Sequence, residues 1–192
     1  MARKGFYYDQ TSCIGCRACQ VACCDKNDLQ PTMVFRVVSS YEAGEYPTAR
    51  GYHYSASCNH CETPACTSVC PVEALYVDEE DGTVQYDAEK CIGCQYCVRA
   101  CPYEVPQYFE DDQKVRKCDA CKLLRAKDEQ PACVAICPMR ALAFGDIEEL
   151  RAAYPDAVDQ IVVLPDAAQT GPSVAIRAKE IALRPDPQEY VL

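Results

Sequence analysis

Four cysteine-rich stretches constrain this chain more than anything else in it. The first holds Cys13, Cys16, Cys19 and Cys23 in the spacing C-x2-C-x2-C-x3-C. The second holds Cys58, Cys61, Cys66 and Cys70, spaced C-x2-C-x4-C-x3-C and followed by Pro71. The third, Cys91, Cys94, Cys97 and Cys101, returns to the first spacing and adds Pro102. The fourth, Cys118, Cys121, Cys133 and Cys137, is spaced C-x2-C-x11-C-x3-C and runs into Pro138. A further cysteine, Cys24, is doubled against Cys23 and falls out of register with every repeat.

The groups repeat in pairs. CIGCRACQVAC (13–23) matches CIGCQYCVRAC (91–101), and PACTSVCPVEAL (64–75) matches PACVAICPMRAL (131–142). The order a-b-a-b marks an internal duplication in which the second b unit gained seven residues between its second and third cysteines. One type of site has been built four times.

Three thiolates from a tight C-x2-C-x2-C loop can wrap one face of a cuboidal iron–sulfur cluster, with backbone N–H groups turned toward its sulfides. Gly15 and Gly93 suit that wrapping, because a residue without Cβ permits close approach or a positive φ. The fourth cysteine lies one helical turn beyond the third and points elsewhere; in two-cluster ferredoxins it serves the neighbouring cluster, and the proline then turns the chain. Zinc sites use two C-x2-C pairs with no third cysteine three residues on, so fitting these groups to zinc needs arbitrary pairing. Disulfides do not readily join cysteines three apart.

Composition agrees. Of 192 residues 17 are Cys, which leaves a thin supply of Leu, Ile, Val and Phe. A chain of this length buries roughly 70% of its unfolded surface, so something else must fill the interior. The formal charge of −10 argues against nucleic acid or an anionic membrane surface as partner. The basic patches, Arg116-Lys117 and Lys122 to Lys127, are short and flanked by acid. No stretch approaches the roughly 18 apolar residues of a membrane span. MARKGFYYDQ has no apolar h-region, twin arginine or small-residue cleavage site, so the chain is expected to carry no export signal of its own.

VFRVVSS (34–40) and GYHYSAS (51–57) read as strands around a Gly/Pro-containing loop, and ALYVDEEDGTVQYDAEK as strand, Asp-Gly turn, strand. DIEELRAAY (146–154) reads as a short amphipathic helix with Asp146 as N-cap. Residues 156–192, rich in Pro, read as an extended C-terminal tail ordered only against a surface.

With CNHCETPAC, ACPYEVPQY and KCDAC inside it, the four-group layout resembles the iron–sulfur electron-transfer subunits of the dimethyl sulfoxide reductase family, over residues 3 to about 175. Related subunits serve polysulfide, thiosulfate, tetrathionate and arsenate reductases, formate dehydrogenases and molybdenum dehydroxylases. The resemblance implies an α+β fold of two ferredoxin-like halves with short helices, β-hairpins and an irregular C-terminal tail. Residues 1–57 with 102–155 would form the first half, carrying the hairpin insertion, and 58–101 the second.

It also implies four [4Fe-4S] clusters in a line. Cluster 1 would take Cys13, Cys16, Cys19 and Cys137; cluster 2, Cys23, Cys118, Cys121 and Cys133; cluster 3, Cys58, Cys61, Cys66 and Cys101; cluster 4, Cys70, Cys91, Cys94 and Cys97. Cys24 would ligate nothing. The duplication by itself equally allows groups one with two and three with four.

The chain shows no nucleophile–base pair, no paired catalytic carboxylates and no phosphate loop. The expected function is therefore electron relay without a catalytic site of its own. The partner would be a large molybdopterin-bearing catalytic subunit, with a membrane anchor subunit or soluble donor beyond it. A polyferredoxin of a hydrogenase or formate–hydrogen complex is the alternative, and a structural zinc protein the alternative of another class. The resemblance suggests a bacterial protein at the outer face of the cytoplasmic membrane or in the periplasm, co-exported with its partner, or alternatively cytoplasmic. Among charges beside the cysteines, Lys117 reads as the one that tunes a cluster, Arg99, Arg116 and Lys122 as solvated, and His60 as structural. Thirteen Tyr with no Trp read as packing and interface area.

Overall fold

The computed structural model describes residues 3–30 and 32–190. Its centre is a three-stranded sheet in which Lys4–Asp9 lies between Leu142–Asp146, antiparallel to it, and Val174–Arg177, parallel to it. Lys4–Asp9 is buried on both faces, which is why KGFYYD lacks the polar–apolar alternation of a one-sided strand. Phe6 and Tyr8 face the cysteine-bearing core. Tyr7 faces the other way, stacking on Tyr154 at 3.8 Å between ring centroids, beside Ile147 and Ala175. The helix Ile147–Ala153 covers that second face and begins where Asp146 accepts from the backbone N–H groups of Glu148 and Glu149 at 3.0 and 3.1 Å.

The strands expected at 34–40 and 51–57 appear as the antiparallel pair Val37–Ala43 and Arg50–Ala56. The compact hairpin Leu75–Val77 with Val84–Tyr86 links cysteine groups two and three, with Gly82 at φ +68° in its turn. A second hairpin, Gln107–Phe109 with Lys114–Arg116, lies between groups three and four.

The expectation of an extended tail over 156–192 is corrected by the structure. Val174–Arg177 is a strand of the central sheet, and Gln188–Tyr190 pairs with Val37–Ala43. Ile161, Ile176 and Ala182 are each at most 2% exposed. The physical reason is that this segment supplies apolar side chains the cysteine-rich remainder lacks, and covers sheet edges that would otherwise present unpaired N–H and C=O groups.

Candidate metal centres

Each of the four C-x2-C loops bends its backbone the same way. The residue before the second cysteine has a left-handed φ in all four: Gly15 at +68°, His60 at +43°, Gly93 at +70° and Ala120 at +51°. That turn faces successive backbone N–H groups inward and builds a concavity suited to an anion. Both glycines also stand close to a neighbour. A Cβ on Gly15 would stand 2.6 Å from the His53 ring, and one on Gly93 would stand 2.3 Å from the Gln113 carbonyl oxygen.

The duplicated units pack across one another. Helix Ala18–Lys26 of group one lies on Ala132–Ala135 of group four, and Ala65–Ser68 of group two on Tyr96–Ala100 of group three. Cys13, Cys16, Cys19 and Cys137 line one cavity with about 350 Å³ of empty space. Cys58, Cys61, Cys66 and Cys101 line a second of about 360 Å³, and Cys70, Cys91, Cys94 and Cys97 a third of about 370 Å³. Cys23, Cys118, Cys121 and Cys133 are all buried, Cys23, Cys118 and Cys133 within the main core. Cys24 is half-buried and lines none of the three cavities.

Among the described residues no three His, Cys, Asp or Glu side chains converge closely enough to hold one metal ion; three of the sets surround a void instead. Burial pushes the Cys23 and Cys66 thiols up to about 12, and Cys61 and Cys97 up to about 11, neighbouring thiols adding to the rise in each. Burial drives Cys118 well above the ordinary range, with Cys23 and Cys58 reinforcing it. Thiols in that condition ionise together only against a strongly cationic centre, which the iron of a cluster provides.

Backbone N–H groups already point at several sulfurs: Gly15 to Cys13 and Ala120 to Cys118 at 3.4 Å, Ala74 to Cys70 at 3.2 Å, Ala141 to Cys137 at 3.3 Å. In groups two to four the Cys-Pro step ends in a left-handed residue (Glu73, Glu104, Arg140) that returns the backbone toward that last sulfur. Group one has Cys24 in place of the proline, and its helix runs on to Lys26. There the side-chain amide of Asn27 replaces the missing backbone donor, reaching the Cys23 sulfur at 3.6 Å and its carbonyl at 2.8 Å. The sequence hints at this only through the lost proline.

The charged residues separate. Lys117 is 1% exposed and lines the cavity of Cys58, Cys61, Cys66 and Cys101; its Nζ donates to the Val84 carbonyl and, at 2.8 Å, to that of Cys118. Lys122 forms a half-exposed pair with Asp78 at 2.6 Å, Arg116 pairs with Asp112, and Arg99 is exposed. His60 is wholly buried. Its Nδ1 accepts from the Val84 N–H at 3.0 Å and its carbonyl from the Ser173 hydroxyl at 2.7 Å, tying group two to the hairpin and the C-terminal segment. Burial holds its pKa well below the usual imidazole range, with Lys117 and Arg125 adding to that. Sequence reasoning missed Arg36, which is 2% exposed in the core.

Cysteine sets of this geometry, on a mixed fold of short helices and small sheets, define an iron–sulfur protein of ferredoxin type. The profile of a 4Fe-4S dicluster domain matches residues 49–147, and that of a 4Fe-4S binding domain residues 10–30. The sequence is 44% identical over 181 residues to the B chain of anaerobic dimethyl sulfoxide reductase from Escherichia coli strain K12, covering 90% of this protein and 87% of that one. The corresponding subunit of Haemophilus influenzae is 40% identical over 191 residues, 95% and 92% of the two. The B chain of polysulfide reductase from Wolinella succinogenes is 41% identical over 155 residues, 78% and 80% of the two. This protein belongs to the family of dimethyl sulfoxide reductase B chains, iron–sulfur electron-transfer subunits that have no catalytic site of their own. No helix among the described residues is long and apolar enough to cross a membrane.

Proposed function

We propose that this subunit carries four [4Fe-4S] clusters in a line and passes single electrons to or from a large molybdopterin-bearing catalytic subunit. The observation that carries the reading is that twelve cysteines line three cavities in sets of four, while four more, Cys23, Cys118, Cys121 and Cys133, are buried. The ligand sets are those named from the resemblance: Cys13, Cys16, Cys19, Cys137; Cys23, Cys118, Cys121, Cys133; Cys58, Cys61, Cys66, Cys101; and Cys70, Cys91, Cys94, Cys97. The packing of group one on group four and of group two on group three supports two ferredoxin-like halves, 1–57 with 102–155 and 58–101.

When bound, a cluster supplies a one-electron redox centre whose potential follows charge, hydrogen bonds to sulfur and solvent exposure. The chain's own residues set those conditions. The set Cys23, Cys118, Cys121, Cys133 is kept from water in the core, while Cys16, in the first set, is exposed at the surface. Ile14 and Ile92, at equivalent places in groups one and three, are 58% and 63% exposed. Apolar surface beside the first and fourth sets supports docking of partners at both ends of the line, the catalytic subunit at one and a membrane anchor or soluble donor at the other. The names of the relatives as reductase chains support such a complex.

A tagged chain purified anaerobically from its native host tests the partner. The reading expects a large co-purifying chain with molybdenum and pterin; nickel there would favour the hydrogenase alternative. The same reading puts the complex at the outer face of the cytoplasmic membrane or in the periplasm by co-export. Protection from protease in intact spheroplasts would favour the cytoplasm instead.

A further inference from the structure

Arg36 lies immediately before the strand Val37–Ala43 and is 2% exposed, against the core that holds Phe6, Cys23, Cys118, Cys133 and Cys137. One terminal nitrogen of its guanidinium donates to the Ser55 carbonyl and the Ser55 hydroxyl, each at 3.0 Å, and the other to the Ser57 hydroxyl at 2.8 Å. Its face lies over the Phe6 ring, 4.7 Å from the centroid. Every one of these partners is electrically neutral, and among the described residues no carboxylate pairs with Arg36. A buried cation without a counter-charge is strongly unfavourable. The groups near enough to act on it as charges are thiols: Cys133, Cys118 and Cys23 of the second set, and Cys19 of the first.

Ser55 adds a direct link. Its hydroxyl oxygen accepts from Arg36, which leaves its proton free to donate to the Cys19 sulfur at 3.4 Å. The guanidinium thus acts on the first set through one hydroxyl and on the second through space.

We propose that Arg36 is a positioning and charge-compensating residue that raises the reduction potential of the clusters held by Cys13, Cys16, Cys19, Cys137 and by Cys23, Cys118, Cys121, Cys133. This rests on the cluster reading above. The sign follows from electrostatics: reduction adds a negative charge beside a fixed positive one in a water-excluded core, so the reduced state gains more from Arg36 than the oxidised state does.

The test is an EPR-monitored redox titration of the anaerobically purified full chain, or its complex, with iron and acid-labile sulfide measured on each sample. Wild type with its clusters in place upholds the reading on which the proposal stands, and wild type without them overturns both. In Arg36→Gln, iron content stays at the wild-type level. Two centres become about tenfold harder to reduce at a given potential, equivalent to a midpoint about 59 mV lower for a one-electron couple. The other two centres do not move. No shift, or an equal shift in all four, overturns the proposal. Arg36→Lys separates charge from structure: it keeps the cation, so iron content and all midpoints stay at wild-type values. If Arg36→Gln fails to load, Arg36→Lys decides alone. Full loading with unshifted midpoints upholds the charge role; loss of iron, or a tenfold shift despite the retained charge, overturns it.

Discussion

Gly93→Ala and Gly15→Ala make the same chemical change at matching places in two repeats, yet they should differ in cost. Both glycines have a left-handed φ, +70° and +68°, but so do His60 and Ala120 at the equivalent positions of groups two and four. The left-handed penalty, about 1–2 kcal/mol for a residue with Cβ, is therefore one this fold tolerates. The difference lies in what the new methyl meets. At Gly93 it stands 2.3 Å from the Gln113 carbonyl oxygen, a backbone atom of the hairpin turn, so the hairpin or the Cys91–Cys94 loop must shift. Overpacking of that kind adds about 1–3 kcal/mol, for a total of about 2–5 kcal/mol. At Gly15 the obstacle is the His53 imidazole, a half-buried side chain that can swing aside by giving up its 3.0 Å hydrogen bond with Ser40. That loss adds about 0.5–1.5 kcal/mol.

For a chain of this length each kcal/mol moves the melting temperature by about 2–4 °C, so Gly93→Ala should melt roughly 4–20 °C below wild type. Anaerobic melts followed by far-UV circular dichroism and by the visible absorbance of the clusters measure it. Measured against His53→Ala alone, the double variant Gly15→Ala/His53→Ala should lose only the left-handed cost, because the ring and its hydrogen bond are absent from both. Equal losses at the two glycines, or a larger loss at Gly15, would refute the steric reasoning.

Three further changes probe other parts of the account. Cys24→Ser should leave iron content unchanged, whereas Cys23→Ser should lose a cluster's worth, about four irons, or convert that cluster to a three-iron form; iron analysis with EPR reads both, and the reverse pattern would exchange the roles of the two cysteines. Ending the chain after residue 155 removes the strand Val174–Arg177 and the buried Ile161, Ile176 and Ala182, so the product should fail to accumulate as folded protein; a stable, fully loaded product on gel filtration would restore the extended-tail view. Burial tends to raise the Asp9 pKa, but hydrogen bonds from Thr11 and Ser12 outweigh it and leave the group below its ordinary value. A depressed folded-state pKa contributes stability above the unfolded value, about 3.9, and loses it only as pH falls through the folded value. The stability gap between wild type and Asp9→Asn should therefore stay level across neutral and mildly acidic pH in denaturation series; a gap that closes near neutrality would contradict this.

Local chemistry was legible in the sequence, and long-range pairing was not. Gly15 and Gly93 announced their backbone roles because a glycine set between two closely spaced cysteines contributes conformational freedom and little else. The hairpin around Asp81-Gly82 and the Asp146 cap were readable because turn and capping residues act over three or four positions. Lys4–Asp9 was not, because its partners lie far along the sequence at 142–146 and 174–177, and burial on both faces erases the alternation that marks a strand. The C-terminal segment misled for a related reason. Four prolines and nine charged residues interrupt its 37 positions, so the apolar residues that enter the core, Ile161, Val174, Ala175, Ile176 and Ala182, show no regular period. Arg36 was hidden inside an apolar run, where an arginine reads as the solvent-facing member of a strand. Only the fold reveals that it is buried.

The central claim is that sixteen cysteines hold four clusters and that Cys24 holds none. Iron and acid-labile sulfide per chain, measured on protein isolated under strict anaerobiosis, test it most directly. The account predicts about sixteen of each. About eight of each, or zinc in place of iron, would contradict it.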